Sequence, residues 1–491
     1  MRHTFAELFA PAIVLVFSSG CTVGPKYQRA SVPTPANWET PQPWRPSDPK
    51  DTVPKGEWWK VFHEDQLEAL EAKALDANQT LKSAVARYAQ ARALTSQAIS
   101  ALYPQMNVAP LAQRQRLSGN RPTSGVPITL RPVTQNSFTL PFTVSYEVDL
   151  FGGRRRNIEA SEASLQAGAA DLENVRLVIT AEMASDYFTL RQLDSELAIL
   201  DRTVATLDKG LQLVTARHEG GIASGLDVAQ EETLLRTTQT QATLLHQQRD
   251  QFEHAIAVLA GQPVPGFHVT TQELSGEPPA LDAGLPSDLL ERRPDVAEAE
   301  RQMAAANAQI GVARSAYFPS LNLFGNGGWL SGDVTKLLNV SSAVWAVGAT
   351  AAEAIFTGGA RRAQVKFAQA GYDAAVANYH ETALNAFREV EDDLTGLSIL
   401  NDAKTTQQQA VAAARRAVDI ASDRYTGGLV SYLDVVSAQQ TLLSNEQQLA
   451  AIQGERLVTS VLLIKALGGG WDASSLATAR IKPTIKQALQ P

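Results

Sequence analysis

The chain has 491 residues, of which 44% are hydrophobic, 7% aromatic and 19% charged, with a single cysteine and a formal net charge of −8. This balance leaves no basic footprint for nucleic acid and excludes a disulfide framework or a cysteine-rich zinc site. Ala, Gln, Leu, Thr and Ser dominate, a vocabulary of long helices rather than of a compact mixed core.

The chain opens with an apolar run of about ten residues, Leu8 to Phe17, too short to span a bilayer and the length of a signal-peptide core. Ser18-Ser19-Gly20 then precede the lone cysteine, Cys21. This resembles a bacterial lipoprotein signal, so residues 1–20 read as a signal peptide and Cys21 as an acylated N-terminus. Several acyl chains, at about 0.8 kcal/mol per buried methylene, anchor firmly. Thr22 follows where resembling lipoproteins retained at the inner membrane carry Asp, which points to the outer membrane. Eight prolines between residues 25 and 54 forbid helix or central strand and mark residues 21–62 as an extended, lipid-anchored strap.

The remainder repeats. Arg217-His-Glu-Gly220-Gly221-Ile-Ala-Ser224-Gly-Leu226-Asp227-Val228 matches Arg424-Tyr-Thr-Gly427-Gly428-Leu-Val-Ser431-Tyr-Leu433-Asp434-Val435 at an offset of 207. Phe151-Gly152-Gly153 matches Phe356-Thr-Gly358-Gly359, and Tyr103-Pro104 matches Phe318-Pro319. A unit of this length, duplicated once, is not a solenoid repeat. The spacing assigns residues 63–262 to a first repeat, 263–287 to a proline-rich linker, 288–470 to a second repeat and 471–491 to a tail.

Within the first repeat, Leu190, Leu193, Leu197, Leu200, Val204, Leu207, Leu211 and Val214 follow spacings of three and four, a coiled-coil seam. Tyr372, Val376, Tyr379, Ala383, Phe387, Val390, Leu394 and Leu397 form the matching stripe. The helices carrying them, from about 154 to 217 and 360 to 424, extend roughly 95 Å. Each stops at a Gly-Gly pair suited to a helix C-terminus. Ser224 and Ser431, three residues before Asp227 and Asp434, then start a return helix of about 35 residues.

A second periodicity precedes the first long helix. Phe138, Leu140, Phe142, Val144, Tyr146, Val148 and Leu150 alternate with Thr139, Pro141, Thr143, Ser145, Glu147 and Asp149, the pattern of a lipid-facing barrel strand. Trp345, Val347, Ala349 and Ala351 repeat it faintly, and segments after Pro104 and Pro319 complete four strands. Gly325-Asn-Gly327-Gly328 reads as a strand end or surface loop. Four strands cannot close around a lumen, and open edges are forbidden in a membrane. The barrel must be shared between subunits.

These residues resemble the outer-membrane factor family, the TolC-type efflux channels, in their NodT-like lipoprotein branch. Cys21-Thr-Val-Gly24-Pro25-Lys-Tyr27, the inter-repeat motif Leu285-Pro-Ser-Asp-Leu-Leu-Glu-Arg-Arg-Pro294-Asp295 and the Gly-Gly turns carry the resemblance across nearly the whole mature chain. It implies a mainly α fold with a transmembrane β part: a homotrimer sharing a 12-stranded β-barrel above a long α-barrel. The trimer would be a passive exit duct for small molecules such as drugs, docked on a periplasmic adaptor and an inner-membrane pump. Two alternatives stay open: a duct for type I protein secretion, and a lipid-anchored periplasmic coiled-coil adaptor lacking lipid-facing strands.

The turns Gly220-Gly221 and Gly427-Gly428 become the periplasmic tip, where the adaptor docks. Asp227 and Asp434 are either simple helix caps, worth about 1 kcal/mol each, or parts of an acidic gate. Family channels carry such a ring at the position matching Asp434, and Ser437 occupies the next inward site. No HExxH, Walker loop or Gly-x-Ser-x-Gly is present, so no enzyme, cofactor or metal is expected.

Overall fold

A computed structural model describes residues 22–35, 38, 56–120, 131–279 and 290–471. The signal peptide, Cys21, the middle of the strap, Leu285 to Leu289 and the tail lie outside the described residues. Trp58–Phe62 forms a 3-10 turn. There follow α1 (Asp65–Ala77), α2 (Gln79–Ser100), β1 (Gln105–Val108), β2 (Leu111–Leu117), β3 (Val133–Val148), α3 (Gly153–Glu219) and α4 (Gly225–Leu259). The second half contributes α5 (Pro294–Ser315), β4 (Ser320–Ser331), β5 (Ala343–Ala352), α6 (Ala360–Thr426) and α7 (Tyr432–Ala466).

The duplication is visible in the element lengths. Helices α3 and α6 each run 67 residues and α4 and α7 each run 35. A 67-residue helix is about 100 Å long. Each long helix begins after an αL glycine, Gly152 or Gly359. Each ends in a turn whose second glycine, Gly221 or Gly428, has φ near +70°, where a Cβ is disfavoured. Of the anticipated seam, Leu190, Leu193, Leu197, Leu200, Leu207 and Val214 are buried, as are Tyr379, Ala383, Phe387, Val390, Leu394 and Leu397 of its counterpart. The start of α5 is the proline-acid step of the inter-repeat motif. Pro294 sits in its first turn and Asp295 accepts the Val296 amide at 2.8 Å.

The core lies at the waist of the helices. Trp58, Trp59, Leu67 and Leu70 pack there on Met183, Tyr187 and Leu190 of α3, Tyr379 and Val390 of α6, and Val461 and Ile464 of α7. Trp58 and Trp59, in the last residues assigned to the strap, are therefore core anchors.

The strands form one antiparallel sheet in the order β1–β3–β4–β5, with β2 also on β3. Gln105 opposite Ser145 and Leu111 opposite Thr139 share one register, so β1 and β2 are a single row interrupted at Ala109-Pro110. The four anticipated rows are present. Strand β3 starts at Val133, earlier than its alternating stretch, because β2 extends the ladder to Leu117 opposite Val133.

The glycine run of β4 departs from expectation. Gly325, Gly327 and Gly328 lie mid-strand, not in a loop. Gly327 stands between Phe142 and Trp345, and Gly325 between Val144 and Val347. At Gly328, with φ +153°, a Cβ would lie 2.1 Å from the Leu140 carbonyl oxygen. These glycines let the neighbouring strands and large side chains approach closely.

Candidate functional site

The candidate site has two ends, a sheet and a hairpin tip. Phe138, Leu140, Phe142, Val144 and Tyr146 occupy alternate positions of β3 and so share one face. Directly opposite residues extend that face. Met106 and Val108 stand beside Val144 and Phe142, Leu323 beside Tyr146 and Trp329 beside Leu140. On β5 the face continues through Trp345, Val347, Ala349 and Ala351. The other face carries Thr139, Thr143, Ser145, Asn107, Asn322, Asn326 and Thr350. Two edges of the sheet, the β1–β2 row and β5, have no neighbour among the described residues, and every residue of β5 is exposed.

At the foot of the sheet the chain turns into α3. Phe151 stacks on Phe318 with ring centroids 4.6 Å apart. Here the N-terminal strap is pinned. The Val23 amide donates to the Phe151 carbonyl at 3.1 Å, and Arg156 donates to the Val23 and Gly24 carbonyls at 3.3 and 3.4 Å. Further along, Tyr27 donates to Glu300, and Arg29 donates to the Tyr379 hydroxyl at 3.0 Å. Thr22, the residue after Cys21, packs against Gly152.

The opposite end is the pair of hairpin turns, which the structure brings together. Leu207, Val214, Leu234 and Leu235 of the first hairpin form a small buried cluster with Tyr432, Val435 and Val436 of the second. The turns are closed alike. Gly220 and Gly427 amides donate to Ala216 and Asp423 carbonyls at 3.0 Å, and Ile222 and Leu429 amides to Arg217 and Arg424 carbonyls at 2.8 Å. Ile222 and Leu429 are exposed at the extremity.

Both tip acids make caps. Ser224 and Asp227 form a reciprocal pair, with the Asp227 amide donating to Ser224 Oγ at 3.2 Å and the Ser224 amide to Asp227 Oδ2 at 3.1 Å. Asp434 Oδ2 accepts from the Ser431 amide and hydroxyl at 3.1 and 2.9 Å. Their surroundings differ, since Asp434 is exposed and Asp227 half-buried.

Sequence reasoning missed the groups that join the two hairpins. The Arg217 guanidinium lies 5.0 Å from the Tyr425 ring, which is 4.8 Å from Tyr432. Beside Tyr432, Glu231 is fully buried against Gly210, where a Cβ would stand 2.3 Å from Glu231 Oε1. Burial pushes the Glu231 carboxyl up, opposed by the neighbouring Tyr432 hydroxyl. The repeat alignment carried a signal for these groups. Tyr425 and Tyr432 stand where the first repeat has His218 and Gly225.

Known proteins share this architecture. The family model described as outer membrane efflux protein matches residues 70–262 and 285–469. The pyoverdine export outer membrane protein OpmQ of Pseudomonas aeruginosa is 33% identical over 92% of this chain and 96% of its own length. The toluene efflux pump outer membrane protein TtgF of Pseudomonas putida is also 33% identical, over 92% and 95%. Among solved structures, the outer-membrane channel OprN superposes with a TM-score of 0.84 at 29% identity, covering 92% of this chain and all of that one. The Campylobacter jejuni channel CmeC, at 24% identity, shares the fold with a TM-score of 0.87 over 92% and 96%. With helical hairpins, sheet and duplication all matched along its length, the chain belongs to the outer membrane efflux protein family.

Proposed function

We propose that three copies of this chain form a passive efflux duct, carrying small molecules from a periplasmic adaptor and inner-membrane pump through the outer membrane. The observation that carries it is the sheet, with two edges unpaired among the described residues, on top of helices about 100 Å long. Four rows cannot enclose a lumen, and a bilayer offers no water to unpaired edge amides. Three copies supply twelve rows and no edge. The names of relatives, which export pyoverdine or toluene, support small-molecule cargo. An adaptor without lipid-facing strands does not account for the apolar sheet face.

In this reading Phe138, Leu140, Phe142, Val144 and Tyr146 face lipid and Thr139, Thr143 and Ser145 the lumen. Cys21, the residue before Thr22, bears acyl chains. Gly220, Gly221, Gly427 and Gly428 shape the adaptor-contact tip, and Asp434, with Asp227 behind it, lines the gate. The chain moves cargo and performs no bond chemistry.

Paired substitutions test it. Phe142→Asp should cost ~2–4 kcal/mol of barrel stability at the bilayer midplane and abolish conductance in planar bilayers. Thr143→Asp should leave channels that conduct. Equal tolerance at the two positions would remove the barrel reading. Labelled palmitate should enter the wild-type chain but not Cys21→Ser.

A further inference from the structure

The sheet has one end joined to helices and one end free of them. Helix α2 leads into β1 and α5 into β4, while β3 and β5 lead out into α3 and α6, all at the end marked by Gln105, Val148, Ser320 and Ala352. The far end holds only the two hairpin connections, after Leu117 and after Ser331. With the helices reaching into the periplasm, this far end points out of the cell. On the face read as lipid-facing, β3 is apolar at every position from Val148 up to Phe138. The ten steps between them, at about 3.4 Å each and a tilt of about 40°, rise about 26 Å, the height of the apolar band of a membrane barrel.

Above that band the same face changes character. Directly opposite residues share a face, so Ala112 stands beside Phe138, Arg114 beside Asn136 and Arg116 beside Thr134. On the same scale the two arginines lie about 5 and 10 Å beyond the band, where headgroups replace hydrocarbon. Both are exposed, and neither has a hydrogen bond or ion pair among the described residues. Arginines at the foot of the sheet are held differently. Arg154, Arg155 and Arg361 pair there with Glu147, Asp149 and Glu353 at 2.5, 3.1 and 2.9 Å. The outer hairpin has no such partner to offer. From Gln105 to Tyr146 the sequence contains four arginines, Arg114, Arg116, Arg121 and Arg131, and neither Asp nor Glu, in a chain whose net charge is −8. The opposite face of the same rows carries Gln113, Gln115, Gln135 and Ser137, so the charge on these rows belongs to the membrane side alone.

We infer that Arg114 and Arg116 form a docking site for the phosphorylated headgroup of an outer-leaflet glycolipid. Depth, charge and continuity with the apolar face select this occupant. Its acyl chains lie along the face of β2 and β3, from Ala112 and Phe138 towards Phe142, which brings the headgroup to the height of the arginines. The outer leaflet of a bacterial outer membrane is built largely of lipid whose sugars carry phosphate, the anion that an unpaired guanidinium there meets. Each guanidinium presents two parallel N–H donors to phosphate oxygens, and Asn136 and Thr134 add neutral polar groups beside them. Two residues apart on one strand face, the arginines stand about 7 Å from each other, so each holds its own phosphate. A water-soluble polyanion would have no use for the apolar face below. A barrel gripped at the headgroups keeps a fixed height in the bilayer, which suits a duct that must meet a partner at its other end. The site depends on the duct reading for its lipid-facing side and adds what occupies it.

The test uses the full chain, purified in detergent as its native complex. Bisphosphorylated lipid A is the probe, with the same lipid stripped of its phosphates and inorganic phosphate as the other arms. The bisphosphorylated lipid should raise the wild-type thermal midpoint and bind about tenfold or more weakly to Arg114→Gln with Arg116→Gln. Gln113→Ala with Gln115→Ala, on the other face of the same strand, should bind as the wild type does. Stripped lipid and inorganic phosphate should leave the midpoint unchanged. Equal binding by the arginine variant, or an equal response to stripped lipid, would mean that the apolar face alone holds the lipid and would overturn the site. An equal response to inorganic phosphate would overturn it too, as a free-anion site. In planar bilayers the arginine variant should conduct like the wild type. If wild-type channels conduct while lipid A binding ignores the arginines, the docking site falls and the duct stands. If the wild type forms no channels, both fall.

Discussion

The waist and the tip of the helical hairpins are built from the same two helix pairs, yet they are held in different ways. At the waist, aromatic and aliphatic side chains from both repeats and from α1 form a large core, flanked by a buried charge cluster. Asp194 accepts from Arg191 Nη1 at 2.5 Å, from Arg249 Nε at 2.7 Å and from the Gln272 amide at 3.1 Å. Arg249 also donates to Glu253, and both arginines hold carbonyls of the Val269 to Gln272 stretch. The tip has a much smaller cluster, two tyrosines, one guanidinium and the buried Glu231. Helix geometry is constant along a hairpin, so the contrast is one of side-chain packing. A structure with few buried contacts at one end opens locally at that end. In the proposed duct the tip is the place for a gate and the waist the place for an anchor.

The largest expected effect is at the waist. Asp194→Ala leaves two buried guanidinium groups without their shared carboxylate and should cost about 3–5 kcal/mol, read as a lowered thermal midpoint in detergent. An effect no larger than that of a tip substitution would erase the contrast.

Next comes Glu71 on α1, fully buried, whose carboxyl burial pushes up to about 9. Because its folded value lies above the unfolded one, the folded state binds the extra proton. Stability from this group is complete below pH 4.5 and is lost as pH rises towards 9. Glu71→Gln should therefore raise stability at pH 8 by about 1–3 kcal/mol and change nothing at pH 4. A uniform shift across that range would show that charge is not the cause.

Smaller still is the stability effect of the buried Glu231 near the tip. Glu231→Gln keeps the hydrogen-bonding shape without the charge, so it should alter thermal unfolding by no more than about 1 kcal/mol. Because burial disfavours its charge, a neutral group favours the packed hairpins, and conductance at pH 8 should fall below that of the wild type. A conductance equal to that of the wild type would show that Glu231 has no bearing on how the tip opens.

The smallest change in stability belongs to Asp434→Asn, which still offers a capping oxygen. If Asp434 forms an acidic ring in a constriction, cation selectivity and block by trivalent cations should weaken. Unaltered selectivity and block leave Asp434 as a cap alone.

The sequence by itself determined whatever depends on neighbours a few residues apart. Heptad spacing, the Gly-Gly turns and the Ser-x-x-Asp starts set the long helices and their reversals, because hydrogen bonding and capping there are local. Alternation set β3, since a period of two separates a strand's faces whatever lies beside it. Tertiary structure decided what depends on distant partners. Gly325 and Gly327 read as a strand end or surface loop until Phe142, Val144, Trp345 and Val347 were laid across them. Asp194 lies within a run that reads as a helix face, and it is buried because Arg249, 55 residues away, reaches it. Glu231 lies on the return helix of the first hairpin, and the absence of a side chain at Gly210 and the arrival of Tyr432 from the other repeat enclose it. Burial of a charge or a glycine's proximity to a neighbouring strand is a property of two chain segments meeting, and no periodicity within either segment encodes it.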